Sequence, residues 1–161
     1  MTILTFFRDY RPPKQLRALF IAHYAPLLLI IMIGPLTALR GIWHIPLPFL
    51  PTIMGGFLFF FSGTFLYFQW ERYWYTNYHG QLITGGIFQH LRHPHYTSLL
   101  IIGYGLAFFF YSLAALLLAT IAVPLMIWSI LDEEKKLIQQ YGKTYLSYMK
   151  KVPWRMIPKI F

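Results

Sequence analysis

The sequence predicts an all-α integral membrane protein with four transmembrane helices, the last two forming a tight hairpin, and a cytoplasmic amphipathic helix after them. Of its 161 residues, 57% are hydrophobic and only 12% are charged, whereas a soluble domain carries roughly 25% charged residues. The apolar residues are also grouped into charge-free stretches, the longest of which suffice to cross the ~30 Å hydrocarbon core of a bilayer. We therefore treat residues 1–161 as a single membrane domain.

Four apolar stretches are the predicted spans, at residues 19–39, 52–70, 97–111 and 113–131. The second leads into Trp70, Tyr73, Trp74 and Tyr75, and such aromatic belts are typical of the membrane surface. Residues 97–131 contain no charged residue. As one helix they would measure about 52 Å, too long for a bilayer. We therefore expect a tight helical hairpin that turns near Tyr111 and Ser112.

The basic residues predict the orientation. All but one of the 14 lysines and arginines lie in the N-terminal segment, in residues 71–96 or in the C-terminal segment, and the exception is Arg40. Basic loops stay in the cytoplasm, so both termini of this multi-pass protein are expected there. A net charge of +9 can also indicate nucleic-acid binding. Here the basic residues flank apolar spans, so the expected partner is the lipid bilayer and not nucleic acid.

The segment after the fourth span predicts an amphipathic helix on the membrane. Its apolar residues recur at three- and four-residue spacing, and its acidic residues precede its basic ones, as the helix dipole prefers. Pro153 is expected to end the helix. The apolar positions are Leu137, Ile138, Tyr141, Tyr145, Tyr148 and Met149.

Residues 90–98, HLRHPHYTS, place three histidines beside an apolar span, and three interpretations are open. A metal site is not expected, because Pro94 disrupts the helical spacing that would bring the histidines onto one face. A second interpretation is an interfacial anchor without chemistry. The third is a joint ligand site with Glu133 and Glu134, which stand at the cytoplasmic end of the fourth span.

A family resemblance supports the third interpretation. Residues 82–96, LITGGIFQHLRHPHY, resemble the L-x-T-x-G-x-[YF]-x-x-x-R-H-P-x-Y signature of the isoprenylcysteine carboxyl methyltransferase and phospholipid methyltransferase families. The second half of the signature, E-E-x-x-L, then [FY]-G-x-x-Y-x-x-Y and V-P-x-x-x-x-P, is present between Glu133 and Pro158. The resemblance covers residues 52–161, with the motifs in residues 82–98 and 132–158. Members often have glycine where this chain has Ser98, so we expect its substrate channel to differ in shape from theirs.

The resemblance implies a methyltransferase that uses S-adenosylmethionine, bound at the cytoplasmic membrane face. Arg92 and Arg155 are the candidate catalytic residues, and together with His95 they are expected near the mouth of the site, where they would bind an anionic headgroup. We expect His93 and Glu134 to lie at the wet interface, so that replacing either leaves folding intact. The residues implied to bind the cofactor are Gly86, His93, Pro94, Tyr96, Glu133, Glu134 and Tyr145.

The expected acceptor is a lipid-like or prenylated small molecule that reaches the site from the bilayer. The resemblance favours carboxyl O-methylation of an isoprenylcysteine-type substrate, with N-methylation of a phospholipid ethanolamine headgroup as the alternative. Two interpretations from other classes remain, an NADPH-dependent membrane reductase and a non-enzymatic membrane subunit.

Overall fold

The structure is a computed structural model that describes residues 14–161, with side chains from Tyr24 onward. Arg8 and Arg11, on which the expected position of the N-terminus partly depends, lie outside the described residues. Within the described residues, five α-helices follow one another: α1 Lys14–Leu39, α2 Phe49–Asn77, α3 Pro94–Phe109, α4 Leu113–Tyr141 and α5 Lys143–Lys151. Within residues 14–161 there is no β-strand, so the all-α prediction is confirmed.

Two of the helices, α2 and α4, are long and apolar enough to cross a membrane. Each has 29 residues and extends several residues beyond the predicted span. The apolar part of α1, Tyr24–Leu39, and the 16-residue α3 are shorter, so the arrangement of four spans stays a prediction. Large apolar side chains nevertheless point outward from α1, α2 and α4, which suits a lipid environment; examples are Met32, Leu58, Phe65 and Trp128.

The predicted turn of the helical hairpin is confirmed. Helix α3 ends at Phe109 and α4 begins at Leu113, with Ser112 as its N-cap. The Ser112 hydroxyl accepts a hydrogen bond from the Ala115 N–H at 3.1 Å and also lies 2.7 Å from the Thr37 hydroxyl of α1. A buried capping hydroxyl that also bonds a neighbouring helix fixes where the hairpin turns.

Glycines allow α2 and α3 to pack at short range. A side chain at Gly56, Gly63 or Gly105 would overlap backbone atoms of the facing helix. Small residues are the usual means by which membrane helices approach closely. This close packing fixes the position of α3 along α2, and with it the position of the HLRHPHYTS segment at the start of α3.

The prediction of one continuous amphipathic helix after the fourth span is wrong. Helix α4 instead continues through Glu133 and Glu134 to Tyr141, and the chain turns at Gly142, where φ is 53°. Glycine adopts a positive φ without a steric penalty, so the helical spacing of the apolar residues runs across a bend. Helix α5 then packs Tyr145 and Tyr148 in one cluster with Leu82 and Phe88, among others.

Candidate active site

The candidate site lies where the start of α3, the end of α4, α5 and the C-terminal segment meet. His93 is the residue before α3 and Pro94 its first residue, a position where the fixed φ of proline and its missing N–H are tolerated. The Arg92 and His93 N–H groups donate to the Trp154 and Arg155 carbonyls at 3.0 and 2.9 Å. The C-terminal segment is thereby held against the segment that precedes α3.

Glu134 is the centre of a buried ionic cluster. Its Oε1 accepts hydrogen bonds from Arg92 Nε at 2.8 Å and lies 2.7 Å from Arg92 Nη2. Its Oε2 accepts from Arg155 Nε at 2.9 Å, and His93 Nε2 lies 3.4 Å from Oε1. Glu134 and His93 are each only 4% exposed, so the expectation that both lie at a wet interface is wrong. The arginines allow the carboxylate to be buried because they replace its hydration.

Arg92 is bound on nearly every side. Besides its two contacts with Glu134, its Nη1 donates to the Val152 and Pro153 carbonyls at 2.8 and 3.1 Å. Arg155 differs, because among its side-chain nitrogens only Nε makes a hydrogen bond to a described residue, and its side chain is 26% exposed. Of the two expected anion-binding arginines, Arg155 therefore retains free donors, and Arg92 joins α4 to the C-terminal segment.

Glu133 stands next to Glu134 in the chain but faces different surroundings. Its Oε2 accepts a hydrogen bond from the Tyr96 hydroxyl at 3.1 Å and lies 3.7 Å from His93 Nδ1. Its side chain is 42% exposed, and its Oε1 makes no hydrogen bond to the described residues. His93 thus lies between two carboxylates, one enclosed and one open to the solvent.

Tyr145 brings an unsatisfied hydroxyl to the same region. The residue is 1% exposed, yet its hydroxyl has no hydrogen-bond partner among the described residues. Burial raises the pKa of this hydroxyl, and the nearby negative charge of Glu134 raises it further, so it stays protonated as a donor. Tyr148, in contact with Tyr145, does have a partner, since its hydroxyl donates to the Phe88 carbonyl at 2.7 Å. A buried polar atom without a partner is rare and calls for a ligand or other explanation.

Gly86 is explained by packing. It has a φ of 58° and begins the short 3-10 helix Gly86–Gln89, and a side chain there would overlap the Tyr73 ring. The structure shows no contact between Gly86 and the ionic cluster. Its expected part in cofactor binding remains a prediction.

The sequence did not reveal the aromatic surroundings of His95. This ring stacks on Trp70 of α2 with centroids 4.2 Å apart, and its Nε2 lies 3.1 Å from the Tyr24 hydroxyl of α1. Tyr24 in turn lies 3.1 Å from the Tyr67 hydroxyl. His95 thus joins three helices beside the site, whereas His90 is exposed. The aromatic residues at the end of the second predicted span are the sequence feature that could have indicated such a cluster.

A family model described as phospholipid methyltransferase matches residues 50–144, more than half of the chain. The matched range contains Arg92, His93, Glu133 and Glu134, whereas Tyr145 and Arg155 lie beyond its end at residue 144. No curated protein and no solved structure matches the sequence.

Proposed function

Because this chain belongs to the phospholipid methyltransferase family, we propose that it transfers a methyl group from S-adenosylmethionine to a lipid-like acceptor in the membrane. The family is one of methyltransferases, and the apolar helices α2 and α4 agree with membrane association. The observation that carries the proposal is the site around Glu134, where both halves of the sequence signature meet. Buried charges and an unsatisfied hydroxyl at one place are typical of a functional site.

The residues present fit S-adenosylmethionine, which offers a carboxylate, an ammonium, ribose hydroxyls and an adenine ring. Arg155 has free donors for a carboxylate. The Tyr145 hydroxyl lacks a partner that a polar ligand atom would supply. Tyr96 and His93 both contact the Glu133 carboxylate, and Pro94 fixes the turn that holds these two side chains there. When bound, the cofactor supplies an electrophilic methyl group on a sulfonium.

The protein's own part is to bind, orient and exclude water. Methyl transfer is an in-line displacement, for which alignment matters more than covalent help. Glu134 contributes to this alignment indirectly, because it holds Arg92, His93 and Arg155 in place. Large apolar side chains are exposed on α1, α2 and α4, so an acyl or prenyl tail would stay in the bilayer while its headgroup reaches the site.

Two acceptors are candidates. The sequence signature favours the carboxylate of an isoprenylcysteine-type substrate, and the free donors of Arg155 would bind it. The family model, described as phospholipid methyltransferase, is equally consistent with an ethanolamine headgroup as the acceptor. In either case we propose four spans with both termini cytoplasmic, which places the site on the side where S-adenosylmethionine is available.

The test is a calorimetric titration of the detergent-purified full-length protein with S-adenosylmethionine, its demethylated product S-adenosylhomocysteine, and NADPH. The proposal predicts saturable binding of the first two ligands and no binding of NADPH. Binding of NADPH alone would assign the chain to the membrane reductases. Binding of none of the three would leave a membrane subunit without catalytic activity.

A further inference from the structure

Arg155 is anchored through both its backbone and its side chain, and it still presents unused donors. Its backbone N–H donates to the Phe161 oxygen and its carbonyl accepts from the His93 N–H, both at 2.9 Å. Its side-chain Nε donates to Glu134 Oε2, also at 2.9 Å. Neither Nη group makes a hydrogen bond to a described residue, so both groups remain for a ligand.

Phe161 supplies the surface on which the Arg155 guanidinium rests. Arg155 Cζ lies over the Phe161 ring, 5.0 Å from the ring centroid. The partly buried Phe161 side chain also packs against the apolar cluster that contains Tyr96. The Phe161 oxygen closes a turn by accepting hydrogen bonds at 2.9, 2.8 and 3.0 Å from the backbone N–H groups of Arg155, Met156 and Ile157. Backbone and side chain thus both fix the ring against the guanidinium.

A ring against the face of a guanidinium leaves the hydrogen bonds at its edge available. The N–H groups of arginine lie in the guanidinium plane, whereas the attraction to an aromatic ring acts on the face. Glu134 engages Arg155 at the Nε edge, and Phe161 sets the tilt of the plane. The Nη groups are therefore oriented before any ligand arrives, and paired N–H donors in one plane suit a carboxylate.

We propose that Phe161 is a positioning residue, which orients the Arg155 guanidinium so that it binds the carboxylate of a ligand. This inference rests on the proposed methyl transfer, and it adds a residue that lies beyond the range matched by the family model. The carboxylate belongs either to S-adenosylmethionine or to an isoprenylcysteine-type acceptor. An arginine that is already ordered loses less side-chain freedom on binding, and this preorganisation raises its affinity for either ligand.

The test separates the aromatic face of Phe161 from its apolar bulk. Phe161→Leu removes the face and keeps an apolar side chain, whereas Phe161→Tyr is the matched control that keeps the face. Phe161→Leu is also made together with Arg155→Gln. Calorimetry on the detergent-purified protein compares S-adenosylhomocysteine with its decarboxylated form, which lacks only the carboxylate. The KM for a prenylated cysteine with a free carboxylate covers the second source.

We expect Phe161→Leu to weaken S-adenosylhomocysteine binding, or to raise the KM for the prenylated cysteine, by about 3- to 10-fold. Which of the two changes tells which ligand supplies the carboxylate. Affinity for the decarboxylated ligand should stay within about twofold of wild type, and Phe161→Tyr should behave as wild type. In the Arg155→Gln background, Phe161→Leu should cause no further loss, because the ring acts through that arginine.

Three results would contradict the role of Phe161. Equal losses for S-adenosylhomocysteine and its decarboxylated form, or a loss that adds in full to that of Arg155→Gln, would show that Phe161 only supports packing. Wild-type affinity and KM in Phe161→Leu would overturn the inference while leaving the proposed methyl transfer intact. A wild-type protein that binds neither ligand and methylates neither a lipid nor the prenylated cysteine would instead overturn the proposed function itself.

Discussion

Replacing Glu134 with glutamine removes the negative charge that Arg92, His93 and Arg155 share. Removing one partner of a buried ion pair costs about 3–5 kcal/mol, because the remaining charge is left without compensation. The Arg92 side chain is only 3% exposed, whereas that of Arg155 is 26% exposed and can regain hydration. We therefore expect Glu134→Gln to lower the free energy of unfolding by about 3 kcal/mol, the lower end of that range.

Thermal unfolding in detergent, followed by circular dichroism, measures this loss. Asp132→Asn is the control, since Asp132 pairs with Lys136 four residues later and both side chains are over 40% exposed; such helix pairs contribute about 0.3–0.5 kcal/mol. Glu134→Gln should melt at a clearly lower temperature than Asp132→Asn. If the two variants melt together, the cluster does not hold the C-terminal segment in place.

Three further substitutions test separate parts of the account. Tyr145→Phe removes the unsatisfied hydroxyl and should weaken S-adenosylhomocysteine binding by about 2- to 12-fold without lowering the melting temperature; unchanged affinity in calorimetry would show that the hydroxyl has no ligand. His95→Ala removes the ring that stacks on Trp70 and should destabilise the protein by about 1 kcal/mol while binding stays as in wild type, so a selective loss of binding would place His95 in the site. Gly105→Ala forces a methyl group into the Phe60 backbone and should destabilise by about 1–3 kcal/mol, and a melting temperature equal to wild type would show that α2 and α3 do not pack this closely.

The helical hairpin and the meeting of the two motif halves could be predicted from the sequence. Residues 97–131 are uncharged throughout and too long for one span, and Ser112 offers a cap at the right place. The His-Pro-x-Tyr element and the two glutamates then lie at the same end of the hairpin, because the hairpin returns the chain to the side from which it started. The contacts of Tyr96 with Glu133 and of His93 with Glu134 follow from that return.

The burial of Glu134 could not be predicted, because it depends on where the C-terminal segment folds. Arg155 reaches Glu134 only because the chain bends at Gly142 and the residues after α5 pair with those before α3. The spacing of the apolar residues does not reveal such a bend, because these residues keep a helical period across it. His95 presents a similar case, as its partners Trp70 and Tyr24 come from two other helices.

The central claim is that the chain transfers a methyl group from S-adenosylmethionine to a membrane lipid. The most direct measurement reconstitutes the purified protein in vesicles that contain phosphatidylethanolamine, adds S-adenosylmethionine with an isotopically labelled methyl group, and analyses the extracted lipids. The account predicts label on an extracted lipid or on an added prenylated cysteine with the wild-type protein. Saturable S-adenosylmethionine binding without label in any lipid or in an added prenylated cysteine would contradict it.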